Sequence, residues 1–184
     1  RRAAQRGLEA GQLALDSGGH ELILHCHRWQ ATGANMDLRF IETTDALYAS
    51  ECALRYNLLR KPLGHAPGSE RFDFEDGSLH LVAVQDDQVV GCVLFHPDGA
   101  GGGRLFQMAV SGTLQGQGVG AKLVRHLEDR CRADGIVTIE LHARKHVSGF
   151  YASLGYAPVG DEYLEVGIPH LNMHRVLQKQ SLEN

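Results

Sequence analysis

Six residues in the middle of the chain, Gln115-Gly116-Gln117-Gly118-Val119-Gly120, have the composition of a phosphate cradle. They follow a strand-like run, Leu105 to Val110, and open a helix-like run, Gly118 to Cys131. A glycine turn at a helix start leaves backbone N–H groups unpaired, and the helix dipole adds partial positive charge there. Such a turn suits a phosphate or pyrophosphate. Gly116-x-Gly118-x-x-Ala121 also matches the dinucleotide fingerprint GxGxxA, with Glu140 about twenty residues beyond Gly120 in the place of a ribose-binding acid. That fingerprint normally opens a doubly wound parallel sheet. Here a hairpin comes first and only 64 residues follow Gly120. A nicotinamide-dependent oxidoreductase is therefore the rival reading of the turn, not the preferred one.

Other chemistry-bearing residues are dispersed. His20, His25, Cys26 and His27 lie close in sequence. Adjacent side chains on a strand point apart, so the spacing is poor for one metal site, and no metal is expected. Cys26, Cys52, Cys92 and Cys131 form no CxxC pair and read as free thiols. Cys131 falls on the apolar face of its helix and Cys92 lies mid-strand. Neither has a histidine or acid placed by spacing, so a cysteine acyl-enzyme is not expected.

The elements that must position the turn fit one domain. The chain has 184 residues, 43% of them hydrophobic, and a formal charge of −4. That charge and the lack of a long basic run argue against nucleic acid as a partner. No apolar stretch approaches the roughly 18–20 residues of a membrane span. Arg1-Arg2-Ala3-Ala4-Gln5-Arg6 is basic, but no signal-type apolar core follows it, so the expected compartment is the cytoplasm.

Residues 1–35 read as an N-terminal extension, 36–177 as the domain and 178–184 as a tail. Met36 begins the first regular strand, to Glu42. A helix is expected over Asp45–Leu59, ended by Pro62 and Gly64, with a loop from Gly64 to Gly77. Leu79–Val84 and Val89–Phe95 form a hairpin around Asp86-Asp87. Pro97 to Gly103 is a loop and Arg104 to Val110 a strand. Val119, Leu123, Val124, Leu127 and Cys131 share one helix face, and Gly135 ends that helix. Ile136–Leu141 is a strand and Val147–Leu154 a short helix. Two strand-like pieces separated by Gly167-Ile168-Pro169 complete the domain. The order is β, α, loop, β, β, β, α, β, α, β, β, which implies a mixed α/β (α+β) sheet with helices.

Gln115-x-x-Gly118-x-Gly120 resembles the Q/R-x-x-G-x-G/A signature of the GNAT superfamily of N-acetyltransferases. Phe106-Gln107-Met108-Ala109-Val110 stands where that family has its acetyl-CoA-binding strand. Phe150-Tyr151-Ala152-Ser153-Leu154-Gly155-Tyr156 resembles its "FYxxLGF" helix ending. The resemblance covers about Met36 to Leu177. Gly167-Ile168-Pro169-His170 through Met173, and Arg55-x-x-Leu58-Leu59-Arg60-x-Pro62-Leu63-Gly64, resemble the ElaA-like branch.

The resemblance implies a mostly antiparallel sheet, splayed between the strands before and after the glycine-turn helix. It implies an acetyl-CoA-dependent N-acetyltransferase acting by direct attack of a primary amine in a ternary complex. The acceptor is a small-molecule or peptide amine, and homodimers are common in the family. Met108, Ala109 and Val110 would hold the pantetheine arm, with the Val110 N–H on the thioester carbonyl. The amides of Gln115, Gly116, Gln117, Gly118, Val119 and Gly120 would hold the pyrophosphate, with glycine at 118 and 120 for close approach. Tyr151 would protonate the leaving thiolate, and His170 would take the amine proton, with Glu140, His142 and Glu165 as alternatives. The family often has asparagine seven residues before that tyrosine. Here the position is Arg144, expected at a coenzyme phosphate or an acidic substrate, with Lys145 beside it. A non-catalytic acyl-CoA sensor on the same fold is the alternative function.

Overall fold

The computed structural model describes residues 36–177 in full, and residues 13–15, 21–23, 27–31 and 34–35 as strand backbone. Strands β1 (Leu13–Leu15) and β2 (Glu21–Ile23) pair with each other. A second, eight-stranded sheet contains β3 (His27–Ala31), β4 (Ala34–Ile41), β5 (Leu79–Gln85) and β6 (Gln88–Pro97). It continues with β7 (Gly102–Val110), β8 (Thr138–Arg144), β9 (Ala157–Glu165) and β10 (Ile168–Val176). Their spatial order is β3-β4-β5-β6-β7-β8-β10-β9. Every neighbouring pair is antiparallel except β7 with β8. This is the mixed, mostly antiparallel sheet expected. The doubly wound parallel sheet that the dinucleotide reading needs is not formed.

Helix α1 (Tyr48–Arg55) runs into a π-helical turn, Tyr56–Arg60, and a 3₁₀ turn, Lys61–Leu63. Helix α2 is Val119–Ala133 and α3 is Ser148–Ser153. The sheet is covered on both faces, and the alternation of β5 shows how. Leu81 and Ala83 pack with Leu123, Val124 and Leu127 of α2 in one core. Val82 and Val84 pack with Ile41, Val89, Cys92 and Ala109 in a second core, against Leu54, Leu58 and Leu59. Buried on both faces, β5 reads as a continuous apolar run. Among the described residues, no helix is long and apolar enough to cross a membrane.

Several expected boundaries move, each for a local reason. The first helix starts at Tyr48, because the Asp45 carboxylate accepts the Leu47 N–H and folds the preceding residues into turns. Gly64 closes the last turn at φ 76°. Residues 75–77 of the expected loop form a 3₁₀ turn. Strand β7 begins at Gly102, since the Asp98 carboxylate accepts the N–H groups of Ala100 and Gly102 and tightens the connection. Strand β8 starts later and runs further than expected. After α2, the Gly135 and Ile136 N–H groups donate to Arg132 and Cys131, a Schellman stop that consumes Ile136. The final turn is Val166-Gly167, both with positive φ, so Ile168, Pro169 and His170 belong to β10. The histidine cluster at 20–27 lies outside the residues whose side chains are described.

Candidate active site

The parallel ladder between β7 and β8 is short. It pairs Gly102–Leu105 with Thr138–Leu141 and stops. Beyond it, β7 bends away at a β-bulge. Cys92 faces Ala109 and Leu94 faces Phe106, so Gln107 and Met108 together oppose Val93. Gln107 takes φ 50°, and its side-chain oxygen is buried without a partner. A bulge of this kind bends a strand and ends regular pairing. Strand β8 meanwhile stays on β10, through His142↔Asn172, Ala143↔Leu171 and Arg144↔His170. The edge of β7 from Phe106 to Val110 therefore faces a gap with no strand partner. Ser111 donates its N–H to the Val90 carbonyl on the β6 side, 2.8 Å. Alternation along the strand turns the Val110 N–H to the other edge, into the gap.

The turn that follows is braced from within. Leu114 is buried under it. The Gln115 side chain donates back to the Val110 carbonyl at 2.9 Å, and Gln117 to the Thr113 carbonyl at 2.8 Å. Both glutamines shape the turn with their side chains, and their N–H groups donate within it as well, to the Gly112 and Leu114 carbonyls at 3.4 Å. Gly116 and Gly118 take φ 75° and 80°, in the region where a Cβ is strained, and face open space. Gly118 is the α2 N-cap and supplies no side-chain bond, so the first N–H groups of α2 keep their charge-binding capacity. Gly120 is crowded where the other two are open. A Cβ there would lie 2.6 Å from the Met108 methyl and 3.3 Å from the Phe150 ring. Packing of α2 on β7 and α3 thus also bears on this glycine.

Tyr151 sits on α3 at the same end of the sheet, 7% exposed. Phe150 and Tyr156 meet its ring edge-on, at 5.0 and 5.8 Å between centroids. Burial raises its phenol above the ordinary range, so it is held as the neutral, proton-bearing form. Cys92 and Cys131 are buried thiols. Burial pushes Cys131 up to about 12 and raises Cys92 too, which removes both as nucleophiles.

The opposite face of the gap is built by alternation along β8. Ile139, Leu141 and Ala143 are buried in the α2 core, which leaves Glu140, His142 and Arg144 on the α1 face. His170 lies across from Arg144, nine-tenths buried. Its Nδ1 is 2.8 Å from the Ile168 carbonyl. A carbonyl only accepts, so Nδ1 is the ring nitrogen that donates here, and in the neutral ring Nε2 is the one with a lone pair. His142 stands 3.5 Å from Glu165 and edge-on to Tyr163. Lys145 pairs with Glu162 on the surface. The π-helical turn packs over β7 and brings in Arg60, whose guanidinium lies over the Phe72 ring. Phe72, Phe74 and Phe106 touch one another beside it.

Sequence reasoning missed this aromatic wall and a buried charge network behind it. Arg55 donates to Glu75 at 2.9 Å, Glu51 bonds His80 Nδ1 at 2.9 Å, and Tyr48 donates to Glu75 at 2.7 Å. Only the apolar period of α1 was available from sequence, and it says nothing of charges facing inward. A separate cavity of about 360 Å³, lined by Arg132, Gly155, His174 and Arg175, lies at the far end of α2 from the glycine turn. It is remote from the gap.

Comparison with known proteins agrees with this geometry. Residues 61–177 match the family model described as "Acetyltransferase (GNAT) domain". The uncharacterized N-acetyltransferase YitI of Bacillus subtilis is 28% identical over 132 residues, 68% of this chain and 87% of that protein. The structure of an acyl-CoA N-acyltransferase from Pseudomonas aeruginosa is 25% identical, with TM-score 0.65, covering 76% of this chain and 99% of that one. Escherichia coli ElaA shares the fold at 22% identity, with TM-score 0.66 over 76% of this chain and 99% of its own. With a splayed β7–β8 pair, a glycine turn at the head of α2 and a family match over most of its length, this chain belongs to the GNAT family of acetyltransferases.

Proposed function

We propose that the protein transfers the acetyl group of acetyl-CoA to a primary amine by direct attack within a ternary complex. The observation that carries this reading is the unpaired edge of β7, which ends in the Val110 N–H and is joined to the glycine turn by the single 3₁₀ turn Gly112–Leu114. An extended pantetheine arm can add to that edge as a strand would, along Met108, Ala109 and Val110. Within the turn over residues 115–120, the amides of Gly116, Gly118, Val119 and Gly120, with the α2 dipole, suit the pyrophosphate, while Gln115 and Gln117 brace it. The Val110 N–H suits the thioester oxygen, which gains negative charge as the amine adds.

The chemistry then needs two proton movements. The amine nitrogen forms a bond to the carbonyl carbon, and the carbon–sulfur bond breaks. His170 Nε2 suits the proton lost from nitrogen, and the Tyr151 phenol suits the proton gained by sulfur. Coenzyme A release, followed with acetyl-CoA and a broad amine panel, tests the reading. Acetyl-CoA should raise the thermal midpoint where NAD(H) does not. Tight acetyl-CoA binding with no release across the panel would favour the sensor reading.

A further inference from the structure

Three phenylalanines meet on the α1 face at the point where β7 and β8 part. The last rung of that ladder is Leu105↔Leu141. Leu105 is buried in the α2 core, so alternation turns the next residue, Phe106, to the α1 face. His142, the next residue of β8, takes the same face across the gap. Phe106 meets Phe72 edge-on at 5.7 Å between centroids and Phe74 at 5.6 Å, while Phe72 and Phe74 stack at 5.2 Å. The cluster is not closed. Phe74 is 42% exposed, and Phe72 and Phe106 are half-buried. Arg60 lies over the face of Phe72, its guanidinium carbon 5.6 Å away, so the open part of the wall is Phe74 and Phe106.

Both loop phenylalanines are fixed by polar groups. The Glu75 carboxylate, buried, accepts the Phe72 N–H at 3.1 Å and also bonds to Arg55 and the Tyr48 hydroxyl. The Phe74 carbonyl accepts the Gly77 N–H at 3.2 Å and the Ser78 hydroxyl at 3.1 Å. That hydroxyl also stands 3.0 Å from His96 Nδ1, and the His96 ring lies 4.7 Å from the Phe74 ring. A buried ion pair is seldom better for stability than an apolar pair. What Arg55 and Glu75 do here is hold the segment that carries Phe72 and Phe74. An isolated apolar residue on a surface needs no account, but a contiguous, fixed aromatic patch beside a reaction site suits a ligand's apolar surface.

Resting on the acetyl-transfer reading above, we infer that the acceptor amine carries an aromatic or branched apolar body, which packs on Phe74 and Phe106 while its nitrogen reaches the unpaired edge of β7. Two sources share this chemistry: a small arylalkyl or branched alkyl amine, and a peptide N-terminus whose first side chain is apolar.

The test uses the full chain and acetyl-CoA, with coenzyme A release as the readout. One arm compares phenethylamine and 3-methylbutylamine with ethylamine and ethanolamine. The other compares phenylalanyl-glycyl-glycine with seryl-glycyl-glycine. In at least one arm the apolar acceptors should lead by about ten-fold or more in kcat/KM, and that arm names the source. Phe74→Ala should shrink the preference about ten-fold, chiefly through KM for the acceptor, and Phe74→Leu should restore part of it. Phe106→Ala should act in the same direction. Each variant is checked for folding by the rise in thermal midpoint with acetyl-CoA. If Phe106→Ala does not fold, Phe74→Ala decides alone, since its ring is largely outside the core. Absence of the preference in both arms overturns the inference, and so does a preference that survives Phe74→Ala intact. If acetyl-CoA raises the thermal midpoint but no acceptor in either arm is acetylated, the apolar-acceptor inference fails and the donor reading stands. If acetyl-CoA produces no shift, the donor reading fails and takes this one with it.

Discussion

Tyr151 has two properties that a general acid needs, a proton and a fixed position. Burial supplies the first by raising the phenol, and the edge-on contacts with Phe150 and Tyr156 supply the second. Tyr151→Phe keeps the ring and removes the proton. It should lower kcat about 100-fold while KM for acetyl-CoA and the thermal midpoint hold. A loss below about three-fold would make Tyr151 a packing residue only. Because its value is raised, the phenol stays protonated through the alkaline range. The kcat profile should therefore show no tyrosine limb below about pH 10. A limb near pH 8.5 that disappears in Tyr151→Phe would contradict the burial argument. Tyr151 was legible in sequence through its motif. Its burial was not, because a six-residue helix has too little period to show which face turns inward.

At the scale of elements, α1 is tied to β5 and to the 3₁₀ turn by charges. Burial disfavours a charged His80, but the Glu51 carboxylate at 2.9 Å outweighs it, and the net direction is upward. A histidine raised above its unfolded value near 6.5 gives stability that is complete below about pH 6.5 and is lost as pH rises through the raised value. Urea midpoints measured from pH 6 to 9 should fall over that window, and His80→Gln should flatten the slope. Parallel slopes in the two proteins would remove His80 from the account. Glu51→Gln leaves buried cations short of a partner and should cost about 3 kcal/mol. The β6–β7 connection makes a second demand. A Cβ at Gly103 would press on the Phe95 ring and sit 2.5 Å from the His96 carbonyl, which is backbone and cannot swing aside. Gly103→Ala should lower stability by about 2 kcal/mol, read as a shift in the urea midpoint at unchanged m-value.

At the scale of the whole molecule, the cleft is made by one sheet that pairs fully on one side and gives way on the other. The ladder of β6 with β7 runs almost the full strand, while that of β7 with β8 covers four residues each. The unpaired amides should therefore be among the most ligand-sensitive in the fold. Hydrogen exchange with and without acetyl-CoA should show new protection at Val110, Gly116 and Gly118–Gly120. Residues 79–85, already paired on both sides, should show little change. Protection confined to the cavity near Arg175 would place the ligand elsewhere.

Sequence alone determined what depends on local rules. The glycine turn, the period of α2, the Asp86-Asp87 hairpin and the tyrosine motif are all set within a few residues of chain. They were sufficient to expect the mixed sheet, the family and the donor site. Only the tertiary structure decided how far β7 and β8 pair, because the bulge at Gln107 is a mismatch between two strands and has no pattern in either one. It also decided that Gly120 makes room for Met108 and Phe150, residues 12 and 30 positions away. The same holds for the aromatic wall beside the gap. Arg60, Phe72, Phe74 and Phe106 are spread over 47 positions of sequence. Their contacts come from a π-helical turn laid across β7, and side-chain chemistry that depends on distance in space leaves no spacing to read in the chain.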